Sequence, residues 1–186
     1  MMHTEPRRRG WIEVICGCMY SGKTEELQRR LRRATYTKLT VKAFKPRLDD
    51  RYSATDIVTH DGSKLPSIIA TNSRDIAHSL KIQDADIVGI DEAQFFNADL
   101  PEVVTELAAN GKRVIVAGLD LDFRGEPFGP MPHLLAIADE VAKVHAYCTV
   151  CGGVATRTFR LTEDTDQIKV GSEGIYEARC REHWTA

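Results

Sequence analysis

Short apolar runs alternate along the chain with stretches whose apolar positions recur at intervals of three and four. Trp11 to Cys16 is a continuous apolar run broken only by Glu13, which reads as a buried strand. Leu27, Leu31 and Ala34 then recur at helical spacing within Thr24 to Thr35. The intervening Gln28, Arg29, Arg30, Arg32 and Arg33 are expected to face water or substrate. Val41 to Phe44 reads as a second strand, closed by Pro46. A short helix is expected from near Ser73, with Asp75 in its first turn, to near Lys81. Ile87 to Ile90 is a third buried strand. Leu100, Val103, Val104 and Leu107 share a helical face within Leu100 to Asn110, and Gly111 supplies a stop. Val114 to Ala117 is a fourth strand, His133 to Ala138 a further helix and Val141 to Tyr147 a further strand. Strands alternating with helices imply an α/β fold, a parallel sheet with helices on both faces. Arg47 to Pro66 has no periodicity. It crowds Asp49, Asp50, Arg51, His60, Asp61 and Gly62 into a loop of a length that is usually functional.

The junction of the first strand and first helix carries the clearest chemistry. Gly17-Cys18-Met19-Tyr20-Ser21-Gly22-Lys23-Thr24 is a glycine-bounded loop between a strand and a helix, the setting a phosphate-binding loop requires. Its backbone N–H groups would turn inward on phosphate oxygens, helped by the positive end of the helix that follows. Lys23 would reach the β- and γ-phosphates, and the Thr24 hydroxyl would ligate Mg²⁺.

The strand Ile87 to Ile90 ends in Asp91-Glu92. An acid at a strand's carboxyl end beside a phosphate loop is placed to hold Mg²⁺ or its waters, and Asp91 is the candidate. Glu92, one residue on, could take a proton from an attacking hydroxyl or water. The alternative for Glu92 is a salt bridge to Arg51 or Lys23.

Cys148-Thr149-Val150-Cys151 and Cys180-Arg181-Glu182-His183 form C-x-x-C and C-x-x-H pairs. Each sets two donors on one tight turn, and two such turns make a tetrahedral Zn²⁺ site with no open position, hence a structural one. The residues from 148 onward are too few for a core of their own, and a metal would supply the missing folding energy. Cys16 and Cys18 are left near the phosphate loop, while His3, His78 and His145 read as ordinary surface or core residues.

Composition narrows the classes. A chain of 186 residues has room for one full core and a small appendage. A formal net charge of −2 offers no global basic field for nucleic acid or membrane. Arg7-Arg8-Arg9 is local and reads as a solvated tail. No apolar run is long enough to cross a bilayer, and no apolar segment of the secretory type precedes Gly10. Five cysteines, an odd number in metal-like spacing, point to the reducing cytosol.

The motifs taken together resemble a known family. The phosphate loop, Asp91-Glu92-Ala93-Gln94-Phe95-Phe96, the run from Gly118 to Pro130, the Cys148/Cys151 and Cys180/His183 pairs, and Val170-Gly171 leading to Tyr176 stand in the order seen in thymidine kinases of the type that carries a zinc-bound lasso domain. The resemblance covers roughly Trp11 to His183. It implies a P-loop NTPase (RecA-like) parallel sheet flanked by helices over residues 1–146, of which 1–10 would be a flexible tail. A small zinc-binding lasso domain would follow over 147–186. It implies transfer of the γ-phosphoryl group of ATP to the 5′-hydroxyl of thymidine, with Mg²⁺ and a structural Zn²⁺, in the cytoplasm. Glu92 falls on the catalytic base. Gly17 to Thr24, Asp91, Gln94 and Arg51 fall on the nucleotide side, where Arg51 and Asp49 belong to a segment that approaches the phosphates. Met19, Phe95, Leu119, Phe123, Phe128, Thr158, Gly171 and Tyr176 fall on the nucleoside side, with Tyr176 covering the base and Thr158 near the thymine methyl. Cys148, Cys151, Cys180 and His183 fall on the zinc ligands. The family is usually a homotetramer, and many members are inhibited by thymidine triphosphate.

The chain departs from the family pattern in places. Cys18 and Tyr20 stand where proline and phenylalanine are common, Ser172-Glu173-Gly174 varies the lasso motif, and His183 replaces a frequent cysteine. The competing expectation is a nucleic-acid-stimulated P-loop ATPase with a zinc ribbon, since Asp-Glu-Ala-Gln also resembles helicase motifs. Small size and the acidic balance stand against nucleic acid as a partner.

Overall fold

The computed structural model describes residues 10–47, 56–58, 64–162 and 174–185. Arg7-Arg8-Arg9, Asp49, Arg51, His60, Asp61, Gly62, Val170, Gly171, Ser172 and Glu173 lie outside the described residues.

In chain order the elements are β1 (Trp11–Cys16), α1 (Lys23–Thr35), β2 (Val41–Pro46), β3 (Asp56–Val58), β4 (Lys64–Pro66), β5 (Ile68–Ala70), α2 (Ser73–Ile82) and β6 (Ile87–Ile90). A short 3-10 turn (Ala93–Phe95) follows, then α3 (Leu100–Ala109), β7 (Arg113–Gly118), α4 (Met131–Ile137) and β8 (Glu140–Lys143). The C-terminal segment holds β9 (Ala146–Tyr147), β10 (Val154–Ala155), β11 (Arg157–Arg160) and β12 (Tyr176–Arg179).

The main sheet runs β5-β2-β6-β7-β1-β8, every neighbour parallel, so the α/β expectation holds. Strands buried on both faces need apolar residues of both parities, which is why their sequences read as near-continuous runs. On one face Ile12, Val14, Cys16, Phe44, Val88, Ile90, Val114 and Val116 pack under α2, α3 and α4. On the other, Ile15, Ala43, Ile87, Ile115 and Ala117 pack under Leu27, Leu31 and Ala34 of α1.

Glu13 has the parity of Ile15 and is 2% exposed. Arg30 of α1 reaches it at 2.5 Å, and Arg113 of β7 reaches it at 2.5 Å. Arg30 also binds Glu26 and Glu140, so one guanidinium ties α1, β1 and β8. Two solvent-facing expectations on α1 are therefore corrected. Gln28 is 2% exposed, and Arg30 is drawn inward by the buried carboxylate.

A second correction concerns Val141 to Tyr147. It is two strands in different sheets rather than one. β8 pairs with β1 through Lys143, and β9 pairs antiparallel with β10. The hand-over is at Val144, whose N–H donates to the Cys16 carbonyl at 2.8 Å before the chain turns away. Alternation of apolar residues carries no mark of a change of partner strand, so periodicity alone cannot place this break. The stretch before Pro66 also holds the paired β3 and β4, and β5 then joins the sheet beside β2.

Candidate active site

Because all strands of the main sheet are parallel, the loops after β1, β6 and β7 emerge at one edge. Such an edge is where parallel α/β sheets place their sites. The loop after β1 begins at Gly17, whose φ is +150°. A Cβ there would lie 2.2 Å from the Val144 carbonyl oxygen, so only glycine fits. Gly22 sits in the left-handed region at the N-terminus of α1. Between them, the Cys18 carbonyl accepts hydrogen bonds from the Ser21 hydroxyl at 2.7 Å and the Lys23 ammonium at 2.7 Å. Tyr20 has φ of 62° and is exposed at the loop's outer side.

β7 separates β6 from β1, yet the two loops meet. The Thr24 hydroxyl donates to Asp91 at 3.2 Å. Neighbouring ligands of an octahedral Mg²⁺ at about 2.1 Å would stand about 3 Å apart, so this pair suits one cation. Asp91 is 6% exposed, and burial, with the adjacent Glu92 charge, pushes its carboxyl up to about 7. A bound dication would reverse that effect.

Glu92 follows in the left-handed region, φ 50° and ψ 41°, and starts the 3-10 turn. A non-glycine residue there is strained and persists only where its surroundings hold it. Its N–H donates to Asp91 Oδ1 at 3.0 Å, and its carboxylate accepts from Gln94 Nε2 at 2.5 Å. The salt bridge to Lys23 weighed from the sequence is not the contact observed; Lys23 turns to the Cys18 carbonyl. Phe95, at the end of the turn, meets Phe128 edge to face at 5.5 Å between centroids. Leu119 N–H donates to Gln94 Oε1 at 2.9 Å. Phe44 and Phe96 are plain core.

The C-terminal segment leans on this edge. Thr158 of β11 accepts from the Met19 N–H at 3.1 Å, and the Cys18 thiol lies 3.5 Å from the Ala155 carbonyl. Arg160, two residues on and on the same strand face as Thr158, stacks over Phe123 at 3.8 Å. It also donates to the Tyr176 hydroxyl at 2.6 Å. Trp184 donates its indole N–H to the Thr158 and Phe123 carbonyls at 3.1 and 3.3 Å. Met19, Thr158, Phe123 and Tyr176 thus belong to one contact chain. Arg160 and Trp184, which complete it, were not singled out from the sequence. The signals were there: Arg160 alternates with Thr158 at strand period, and Trp184 is a large aromatic next to His183.

Cys148, Cys151, Cys180 and His183 place their donor atoms within 4.8 Å of one another. Cys151 Sγ and Cys180 Sγ are 3.8 Å apart, and His183 Nδ1 stands 3.2 and 3.9 Å from Cys180 and Cys148 Sγ. With a Zn–S bond of about 2.3 Å, tetrahedral geometry asks for about 3.8 Å between sulfurs. The donor set fits zinc.

A parallel sheet with a glycine-bounded phosphate loop, and a threonine–aspartate pair across two strand ends, defines the P-loop class of nucleotide-binding α/β proteins. Within that class the chain belongs to the thymidine kinase family, whose family model matches residues 10–184. It is 56% identical over 180 residues to a thymidine kinase of Coprothermobacter proteolyticus, covering 94% of this chain and 90% of that protein. It is 53% identical over 178 residues to thymidine kinases of Bacteroides fragilis and Bacteroides thetaiotaomicron, covering 96% of this chain and 88% of each. Among the described residues, no helix is long and apolar enough to cross a membrane.

Proposed function

We propose that this protein transfers the γ-phosphoryl group of ATP to the 5′-hydroxyl of thymidine, giving thymidine monophosphate, in the cytoplasm. The observation that carries the reading is the placement of Glu92. Its carboxylate follows the residue paired with Thr24 of the phosphate loop, and it opens the turn that leads to the Phe95–Phe128 pair. A proton acceptor between a phosphate cradle and an aromatic wall is what a nucleoside kinase requires.

In this reading the loop from Gly17 to Thr24, through its backbone amides other than that of Met19, and the Lys23 ammonium hold the triphosphate. Thr24 and Asp91 hold Mg²⁺, which when bound neutralises charge on the transferring group. Glu92 orients the 5′-hydroxyl and takes its proton as the new P–O bond forms, while the bond to the ADP leaving group breaks. Met19, Phe95, Leu119, Phe123 and Phe128 wall the nucleoside, Thr158 stands at the thymine methyl, and Tyr176 with Gly171 covers the base. Zn²⁺ on Cys148, Cys151, Cys180 and His183 holds residues 147–186 as a unit distinct from 1–146. The same reading carries a homotetramer and inhibition by thymidine triphosphate, which sedimentation and inhibition kinetics test. A nucleic-acid-stimulated ATPase is not favoured, since the thymidine kinase family match spans nearly the whole chain.

The test is ATP-dependent phosphorylation of thymidine by the purified protein. Glu92→Gln is expected to lower turnover by about 10²- to 10⁴-fold with ATP binding nearly unchanged. Wild-type turnover no higher than that variant's would reject the reading.

A further inference from the structure

Gln94 lies in the Asp-Glu-Ala-Gln run and reads from the sequence as a nucleotide contact. In the fold its side chain is 2% exposed, and both ends of its amide are engaged within the protein. Oε1 accepts from the backbone N–H of Leu119 at 2.9 Å, and Nε2 donates to Glu92 Oε2 at 2.5 Å. The orientation of the amide follows from its partners. The Leu119 N–H can only donate, so the oxygen must face it and the NH₂ must face the carboxylate. The packing leaves the side chain one place. A Cβ at Gly118 would come 2.8 Å from Gln94 Oε1, and one at Gly129 would come 2.3 Å from the Gln94 carbonyl oxygen.

Resting on the reading of Glu92 as proton acceptor, we infer that Gln94 is a positioning residue for that carboxylate. Glu92 sits in a strained backbone conformation at the start of a three-residue turn. Such a side chain aims reliably only if something outside its own backbone holds it. Gln94 does this by tying Glu92, after β6, to the first residue after β7, a strand paired with β6 along its length. Leu119 belongs to the nucleoside wall in the same reading. One amide therefore fixes the proton acceptor relative to the surface against which the attacking sugar rests. Misplacement of a reacting group by about 1 Å can cost on the order of 10²-fold in rate, so a single amide–carboxylate hydrogen bond at this point matters more for turnover than for folding.

The experiment is steady-state kinetics on two variants, each alone and combined with Glu92→Gln. Gln94→Met keeps the length and removes both bonds. Gln94→Leu removes both bonds with a branched apolar side chain of similar bulk, so it serves if the methionine variant folds poorly. Each is expected to lower kcat by about 10- to 100-fold, with KM for ATP and thymidine within about threefold of wild type. In the Glu92→Gln background neither should cause a comparable further loss. A raised KM for ATP at unchanged kcat would make Gln94 a nucleotide contact and overturn the inference. A loss that persists undiminished without the Glu92 carboxylate would also overturn it. A readout independent of activity is the Gln94 side-chain amide in ¹⁵N-resolved NMR. Its Nε2 protons should shift on Glu92→Gln, and no shift would remove the bond itself. Failure of wild type to phosphorylate thymidine would instead strike the proposed activity, with the amide signal still reporting the tether.

Discussion

The main sheet buries Phe44, Ile15, Leu27, Leu31, Ile90 and Ile115 completely. Where the C-terminal segment meets the loop after β1, the matching cluster is Cys18, Ala146, Cys148, Ala155 and Ala178, none larger than a cysteine. At about 25 cal/mol per Å² of apolar surface, side chains of that size contribute little. What the segment has instead is four soft donors in tetrahedral spacing and arginines stacked on aromatics: Arg160 on Phe123, Arg179 on Phe159 and Arg157 on Trp184. One region is held by area and the other has a donor set fit for ligation, so, if the proposed zinc is bound, one chain should respond to two different insults in two different places.

The largest effect separates them by metal. The chain has two tryptophans, Trp11 on β1 and Trp184 beside the donor set, and each reports one region. Stripping metal with a strong chelator, or Cys148→Ser, should release Trp184. Its emission in a Trp11→Phe background should move to the red, while Trp11 in a Trp184→Phe background changes little and the sheet still melts cooperatively. Structural zinc is worth on the order of 10 kcal/mol in small domains, far more than this segment's apolar cluster can replace. Both signals moving together would show that the regions share one folding unit.

The comparison also shows what could be read from residues alone. Strands β1, β2, β6 and β7 and helices α1, α2 and α3 were legible because burial on both faces and helical periodicity each write a local pattern. The phosphate loop, Asp91-Glu92 and the metal pairs were legible because their chemistry needs fixed spacing. The hand-over at Val144 was not, since a change of partner strand leaves no local trace. Nor was the inward turn of Arg30, which depends on Glu13 in another element. Gln94 is the instructive case. Its motif drew attention to it, but its two partners, Glu92 and Leu119, come from different strand ends. That pairing exists only once β6 and β7 lie side by side.

A second effect, smaller, belongs to the sheet alone and to pH. Burial pushes the Glu13 carboxyl up, but hydrogen bonds and charge from Arg113 and Arg30 more than offset this and hold it below its ordinary 4.5. A carboxyl lowered by folding adds stability above its unfolded value, and that share is lost as pH falls through the folded value. Glu13→Gln leaves Arg30 without its buried partner and should cost about 3 kcal/mol at pH 7. The gap to wild type, followed by Trp11 in urea, should narrow as pH drops below 4.5. A gap constant with pH would mean the loss is one of packing. The Trp184 response to metal should be unaffected either way.

The smallest effect falls on the seam. Met19 N–H donates to Thr158 Oγ1 at 3.1 Å, a bond from the loop after β1 to the C-terminal segment. Through it, together with the Cys18–Ala155 contact, the donor set can stiffen the loop without touching nucleotide. Thr158→Val keeps the β-branched shape that suits β11 and removes only the acceptor. A neutral hydrogen bond of this kind is worth about 1 kcal/mol, or about fivefold in affinity. A non-hydrolysable ATP analogue should therefore bind the valine variant about three- to tenfold more weakly, by calorimetry without nucleoside. The sharper measurement is the double perturbation. Once metal is removed the seam has nothing firm on its far side, so Thr158→Val should then change nucleotide affinity little. If the two losses simply add, the loop is rigid in its own right and the C-terminal segment serves the nucleoside side alone.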